Sequence, residues 1–184
     1  MTPLQAEYHR RAAARHDVAG QMAALYAWAR HPGARIIELG TGSPARPDGY
    51  SGNSTAAFLA GTERSGGQLW SVDIADPPVP PEWRELEHWH LLAADDTSGE
   101  AVAFCPDQAD VLFIDTTHSY DHTLEELRLY GPKIRPGGVI LLHDTDRLEW
   151  PGVALAADVW CRASHLAWYD HPPWPGLGVI EIPA

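Results

Sequence analysis

Arg35-Ile36-Ile37-Glu38-Leu39 runs directly into Gly40-Thr41-Gly42, and this join constrains the chain more than any other stretch. An apolar run this short, closed by glycine, reads as a strand buried on both faces, and residues 54–60 beyond it read as a helix. A glycine turn at the carboxyl end of a strand brings backbone close to a ligand, because no side chain intervenes and positive φ costs little. Strand, turn and helix together form a cofactor seat. Alone, a Gly-x-Gly is equally an ordinary turn, so the assignment depends on partners farther along the chain.

Residues 68–73 form a second strand ending in Asp73, where open α/β sheets use a carboxylate to bind two ribose hydroxyls. Residues 90–96 end in Asp95-Asp96, residues 111–115 in Asp115, and residues 139–142 lead to His143-Asp144. Near-continuous apolar runs suit the central strands of a parallel sheet. Helices are expected over residues 18–30, from a Thr97 or Ser98 cap through 104, from an Asp121 cap with Leu124, Leu127 and Tyr130 on one face, and over 152–163. Residues 166–169 and 177–182 read as a final pair of strands. The alternation implies an α/β fold: a doubly wound, Rossmann-like, mostly parallel seven-stranded sheet with one antiparallel C-terminal strand.

The 184 residues suffice for one domain, placed at 18–184, behind a polar segment 1–17 that is either a frayed helix or an arm over the crevice. Residues 43–53 read as a surface loop, either a solvent insertion or a flap. The proline run 77–81 reads as an extended connector. Thirteen basic against twenty-five acidic residues give a net charge of −12, which disfavours a nucleic-acid partner. No apolar run approaches the roughly twenty residues of a membrane span, and the N-terminus has no signal-peptide core. The two cysteines, Cys105 and Cys161, have no metal-ligand spacing, and a reducing, cytoplasmic setting is the expectation.

Together these motifs resemble the class I S-adenosylmethionine-dependent methyltransferases, in the small O-methyltransferase-like branch that includes catechol-type enzymes, macrolide-sugar O-methyltransferases and cephalosporin-hydroxylase relatives. The resemblance runs from about residue 18 to the end, and it implies a role for each strand-end residue. Glu38, Gly40, Thr41 and Gly42 match the first cofactor motif, Asp73 the ribose acid, and Asp95 and Asp96 the adenine-side acid, with Ser54, Ile74 and Asp115 also at the S-adenosylmethionine. His118 stands where relatives carry a general base, and a histidine with an ordinary pKa of about 6.5 can accept a proton at working pH. Asp115, His143 and Asp144 stand where relatives hold a divalent metal. His143 replaces an acidic ligand, so magnesium, a transition metal, or no metal with His143 as a second catalytic base all stay open. The acceptor is expected to be a small molecule bearing a hydroxyl. Trp150 and Trp174 are expected either to wall it or simply to pack, and either short loops or a second copy of the chain shape its pocket.

Two other functions share part of the pattern. A nicotinamide-dependent oxidoreductase would use the same strand, turn and ribose acid, but Pro44 and Pro47 oppose the immediate helix its fingerprint requires. A non-catalytic S-adenosylmethionine-binding partner or regulatory subunit would retain the fold without chemistry. His118 and the His143-Asp144 pair argue against both.

Overall fold

The computed structural model describes residues 1–14, 19–41, 53–171 and 176–184. Seven strands form one sheet: β1 (Arg35–Leu39), β2 (Gln68–Asp73), β3 (Trp89–Ala93), β4 (Ala109–Ile114), β5 (Ile134–His143), β6 (Trp168–His171) and β7 (Leu177–Glu181). Their order is β3-β2-β1-β4-β5-β7-β6. The first five strands are parallel, and β7 runs antiparallel to both β5 and β6. The single reversed strand at the C-terminal end is the one the sequence pattern calls for.

Six α-helices cover the two faces: α1 (Pro3–Ala14), α2 (Ala19–Ala29), α3 (Asn53–Ser65), α4 (Gly99–Phe104), α5 (Tyr120–Tyr130) and α6 (Pro151–Ala163). Alternate residues of each central strand enter opposite cores. Ile36, Val111, Phe113, Val139 and Leu141 meet α1, α2 and α3, while Ile37, Leu112, Ile114, Ile140 and Leu142 meet α4, α5 and α6. A period of two with both faces covered explains why these strands carry almost no polar residue. Phe113 meets Phe58 of α3 edge-on at 5.6 Å. Truncating such a ring to alanine costs about 3–5 kcal/mol.

Within the N-terminal segment, Pro3–Ala14 form the helix α1, which packs on the core. Leu4, Tyr8 and Arg11 of α1 share a buried stripe, Tyr8 stacks on Tyr26 of α2 at 4.7 Å, and Leu4 and Tyr8 belong to the same core as β1. The cap of α5 also departs from expectation. Ser119, not Asp121, precedes the first turn, and its hydroxyl accepts from the His122 N–H at 3.4 Å. Asp121 falls inside that turn. Residues 43–52 and Trp174, which bear on the flap and acceptor-wall expectations, lie outside the described residues, as does Gly42. Among the described residues no helix is long and apolar enough to cross a membrane. Cys105 and Cys161 are both free and buried.

Candidate active site

Parallel strands carry their carboxyl ends to one rim. Leu39 is level with Val72 and Ile114, and Ile114 with Leu142. Gly40, Asp73, Asp115 and His143 therefore leave the sheet side by side. Gly40 has φ +85, and a Cβ there would lie 1.9 Å from the Asp115 carbonyl oxygen, so only glycine lets β1 and β4 turn out together. Beyond it, the Thr41 N–H donates to Asp73 Oδ2 at 2.8 Å. That bond ties the glycine turn to the acid ending β2. Asp95 stands at the same edge beyond β3, its Oδ1 accepting from the Thr97 N–H at 2.9 Å and the Thr97 hydroxyl at 2.6 Å.

Three residues expected at the cofactor, Glu38, Ser54 and Ile74, have distinct surroundings. Glu38 is fully buried and accepts from the hydroxyls of Ser54 at 2.7 Å, Thr55 at 3.0 Å and Ser71 at 2.6 Å. The Ser71 hydroxyl in turn accepts from Trp89 Nε1 at 2.9 Å. Burial raises the Glu38 carboxyl to about 7 against those hydroxyl bonds. Glu38 thus holds β1, β2 and the start of α3 together from behind the seat, and Ser54 spends its hydroxyl on that node. Ile74 projects outward, 76 % exposed, at the rim after β2.

At the ends of β4 and β5 four side chains meet. His118 Nε2 lies 3.1 Å from Asp115 Oδ1 and 3.1 Å from Asp144 Oδ2, and His143 Nδ1 lies 3.3 Å and 3.1 Å from the same two oxygens. Burial opposes charge on both Asp115 and His143. Their mutual attraction outweighs it, leaving Asp115 well below the usual carboxylate range and His143 up at about 10. His118 has φ +56 and Asp144 φ +55, making them two of only four non-glycine residues in the left-handed region among the described residues. Such conformations cost about 1–3 kcal/mol each and persist where the surroundings enforce them. The enforcing element for His118 is α6. A Cβ on Gly152 would come within 2.7 Å of the His118 carbonyl oxygen, and the Trp150 ring lies 4.8 Å from the His118 ring.

The four ligand-type atoms lie within 4.8 Å of one another, and His143 Nδ1 is buried without a hydrogen-bond partner. An ion about 2.0–2.2 Å from each ligand needs ligand atoms about 3.0–3.5 Å apart, which matches the separations of 3.1 and 3.3 Å. Two carboxylates with two imidazoles form a donor set that suits manganese, iron or zinc better than an all-oxygen site would. Asp115, His143 and Asp144 therefore fit a divalent cation, with His118 beside them.

A second cluster, Asp96, His122 and Glu126, carries the same residue types. His122 Nε2 is 2.9 Å from Asp96 Oδ1 and 3.7 Å from Glu126 Oε1. Thr116 donates its hydroxyl to Glu126 Oε1 at 2.8 Å. Burial raises both carboxyls, and the charge of Asp96 pushes Glu126 further up, well above its usual range. Asp96 Oδ1, His122 Nε2 and Glu126 Oε2 are buried without a hydrogen-bond partner. Sequence reading missed Glu126, whose place with Thr123, Leu127 and Tyr130 on the buried face of α5 was the available signal. It also missed Gln21, a lone amide in the apolar helix α2, whose Oε1 lies 3.1 Å from His143 Nε2.

One residue past Asp144, a cavity of about 410 Å³ opens between Thr145, Leu148, Trp168 and Asp170. Its polar groups are paired with each other: Thr145 donates to Asp170 at 2.6 Å and Arg147 to Asp158 at 3.0 Å.

With this geometry in view, comparison with known proteins identifies the family. A family profile described as "Methyltransferase domain" matches residues 49–145, more than half of the chain. The chain belongs to this methyltransferase-domain family. It is 26 % identical over 132 residues to the mycinamicin VI 2''-O-methyltransferase of Micromonospora griseorubida, covering 70 % of this chain and 31 % of that protein. The chain thus spans about a third of the length of this curated relative. Among solved structures, MycE methyltransferase in complex with Mg, SAH and mycinamycin VI aligns with a TM-score of 0.61 at 18 % identity, over 84 % of this methyltransferase domain and 45 % of that chain. CalS11, a TDP-rhamnose 3'-O-methyltransferase, aligns at 0.66 and 17 % identity over 91 % of this chain and 80 % of its own. The Podospora anserina methyltransferase PaMTH1, bound to SAH, aligns at 0.65 and 17 % identity over 100 % and 89 %. At these identities the likeness establishes the shared fold.

Proposed function

We propose that this methyltransferase-domain protein transfers a methyl group from S-adenosylmethionine to a hydroxyl of a small molecule, with His118 as general base and a divalent cation at Asp115, His143 and Asp144. The observation that carries the reading is the pairing of a glycine turn tied to Asp73 with a two-histidine, two-aspartate cluster on the same rim. Relatives named as sugar and macrolide O-methyltransferases support the hydroxyl acceptor, and the MycE complex with Mg and SAH supports both cofactors.

A methyl group on a sulfonium needs no electrophilic activation, so the protein must hold the acceptor in line and remove its proton. His118 takes that proton, and Asp115 and Asp144, each 3.1 Å from its Nε2, stabilise the imidazolium that results. The acceptor oxygen then bonds to the methyl carbon as the carbon–sulfur bond breaks, leaving a neutral thioether. When bound, a cation at Asp115, His143 and Asp144 lowers the hydroxyl's pKa and fixes its direction. Gly40, Thr41, Gly42, Asp73, Ile74, Asp95 and Asp96 hold the cofactor in this reading, with Glu38 and Ser54 bracing them. Trp150, beside His118 and 39 % exposed, supplies an apolar wall for the acceptor ring.

Two buried free cysteines and the acidic balance support a cytoplasmic setting without nucleic acid. Incubation with S-adenosylmethionine and a panel of sugar and phenol acceptors, read by mass spectrometry for a gain of about 14 Da, one CH₂, tests the reaction. A His118→Ala protein that binds S-adenosylhomocysteine normally and still turns over at the wild-type rate would remove His118 from the role.

A further inference from the structure

With a cation in the site, His143 can serve it only through a ring nitrogen that carries no hydrogen, and the group that bears on which nitrogen this is lies 122 residues away, in α2. Gln21 is buried. Its Nε2 donates to the Gly176 carbonyl oxygen at 3.1 Å, and its Oε1 faces His143 Nε2 at 3.1 Å. The amide cannot be turned the other way, because that would set its oxygen against the Gly176 carbonyl, acceptor against acceptor. A carbonyl-type oxygen only accepts, so His143 Nε2 carries a hydrogen. The edge of the ring is held as well, by Phe113 at 6.2 Å and 73°. Across the ring, Nδ1 is buried, without a hydrogen-bond partner, between Asp115 and Asp144.

We propose that Gln21 is a positioning residue: it fixes His143 as the Nε2–H form, so that Nδ1 offers a lone pair to the cation position and biases the site toward manganese(II) over magnesium. The inference rests on the reading that this cluster holds a divalent cation. The physics is that of an outer hydrogen bond orienting a metal-binding imidazole, where removing the partner costs about 10–100-fold in affinity. A nitrogen donor favours the borderline ion, since magnesium prefers oxygen.

The test is calorimetric titration of the full chain with MnCl₂ and with MgCl₂, for wild type, Gln21→Leu and Gln21→Glu, beside long-range ¹H–¹⁵N spectra that report the His143 tautomer. Wild type is expected to bind manganese(II) more tightly than magnesium and to show His143 protonated at Nε2 with Nδ1 bare when the ion is present. Gln21→Leu should lose about 10–100-fold in manganese(II) affinity with a much smaller change for magnesium. Gln21→Glu, which keeps an acceptor for Nε2–H, should restore most of it. Equal manganese(II) affinity and preference in wild type and Gln21→Leu overturns the role of Gln21 while leaving the cation site standing. Binding of neither ion by wild type removes the cation site itself, and the proposal with it. If Gln21→Leu does not fold, wild-type spectra decide, and a His143 protonated at Nδ1 and bare at Nε2 refutes the proposal.

Discussion

Two clusters of histidine and carboxylate sit near one another at the carboxyl rim of this methyltransferase domain, and they resolve the same electrostatic problem in opposite ways. Asp115, His118, His143 and Asp144 set two carboxylates against two imidazoles, and a buried nitrogen lacks a hydrogen-bond partner. Asp96, His122 and Glu126 set two carboxylates against one imidazole, and Glu126 is wholly enclosed. The first is built on two residues at positive φ. The second rests on a regular helix, α5, which supplies both His122 and Glu126. Both clusters contain buried polar atoms without a hydrogen-bond partner, so the contrast lies in charge balance and backbone: two imidazoles, one on a residue at positive φ, against one imidazole on a regular helix. Residue type alone does not distinguish them.

The largest expected effect breaks the comparison if it fails. His118→Ala should lower turnover by about 10²–10⁴-fold, whereas His122→Ala should stay within about tenfold of wild type, both read as initial rates with a labelled methyl donor. Comparable losses in the two variants would mean that the clusters do not divide the work. Next, exhaustive chelation should abolish activity until manganese(II) is returned, and Asp115→Asn should bind no cation by calorimetry. Glu126→Gln should leave cation stoichiometry unchanged.

Stability sharpens the contrast at smaller magnitude. Burial and the Asp96 charge raise Glu126, so Glu126→Gln should cost less than about 1 kcal/mol, while Glu126→Ala should cost about 1–3 kcal/mol by stranding the Thr116 hydroxyl and leaving a gap; urea unfolding at pH 6 measures both. Burial raises Glu38 from 4.5 to about 7. A raised carboxyl binds its proton more tightly when folded, so its contribution is complete below pH 4.5 and is lost as pH rises through about 7. Glu38→Gln should therefore flatten part of the decline in melting temperature between those pH values, and an unchanged slope would show that Glu38 does not titrate there. Smallest of all, Trp150→Ala should raise the acceptor's KM about threefold to tenfold, the scale of one lost aromatic contact, with kcat nearly constant.

Much of the fold was legible because strands buried on both faces must be apolar throughout, and a chain that alternates them with helices has few ways to wind. β1 and β2 were bounded to the residue by Arg35, Leu39, Gln68 and Asp73. Asp115, His118, His143 and Asp144 were legible as strand-end polar groups. The partners of Glu38 were not legible, because the hydroxyls of Ser54, Thr55 and Ser71 reach its carboxylate from α3 and β2. Asp121 was misread as a cap because either it or Ser119 satisfies the local rule.

By itself, then, the order of residues determined the strand succession, the glycine needed where β1 meets β4, and the row of acids at one rim, since all three stem from local sterics and a period of two. Only the tertiary structure decided that Gln21 faces His143 Nε2, that Glu126 lies enclosed beside Asp96 and His122, and that α1 joins the core. Those outcomes depend on partners brought close from far along the chain, Gln21 to His143 across 122 residues and Asp96 to Glu126 across the gap between β3 and α5. Burial then multiplies the worth of each contact by excluding water.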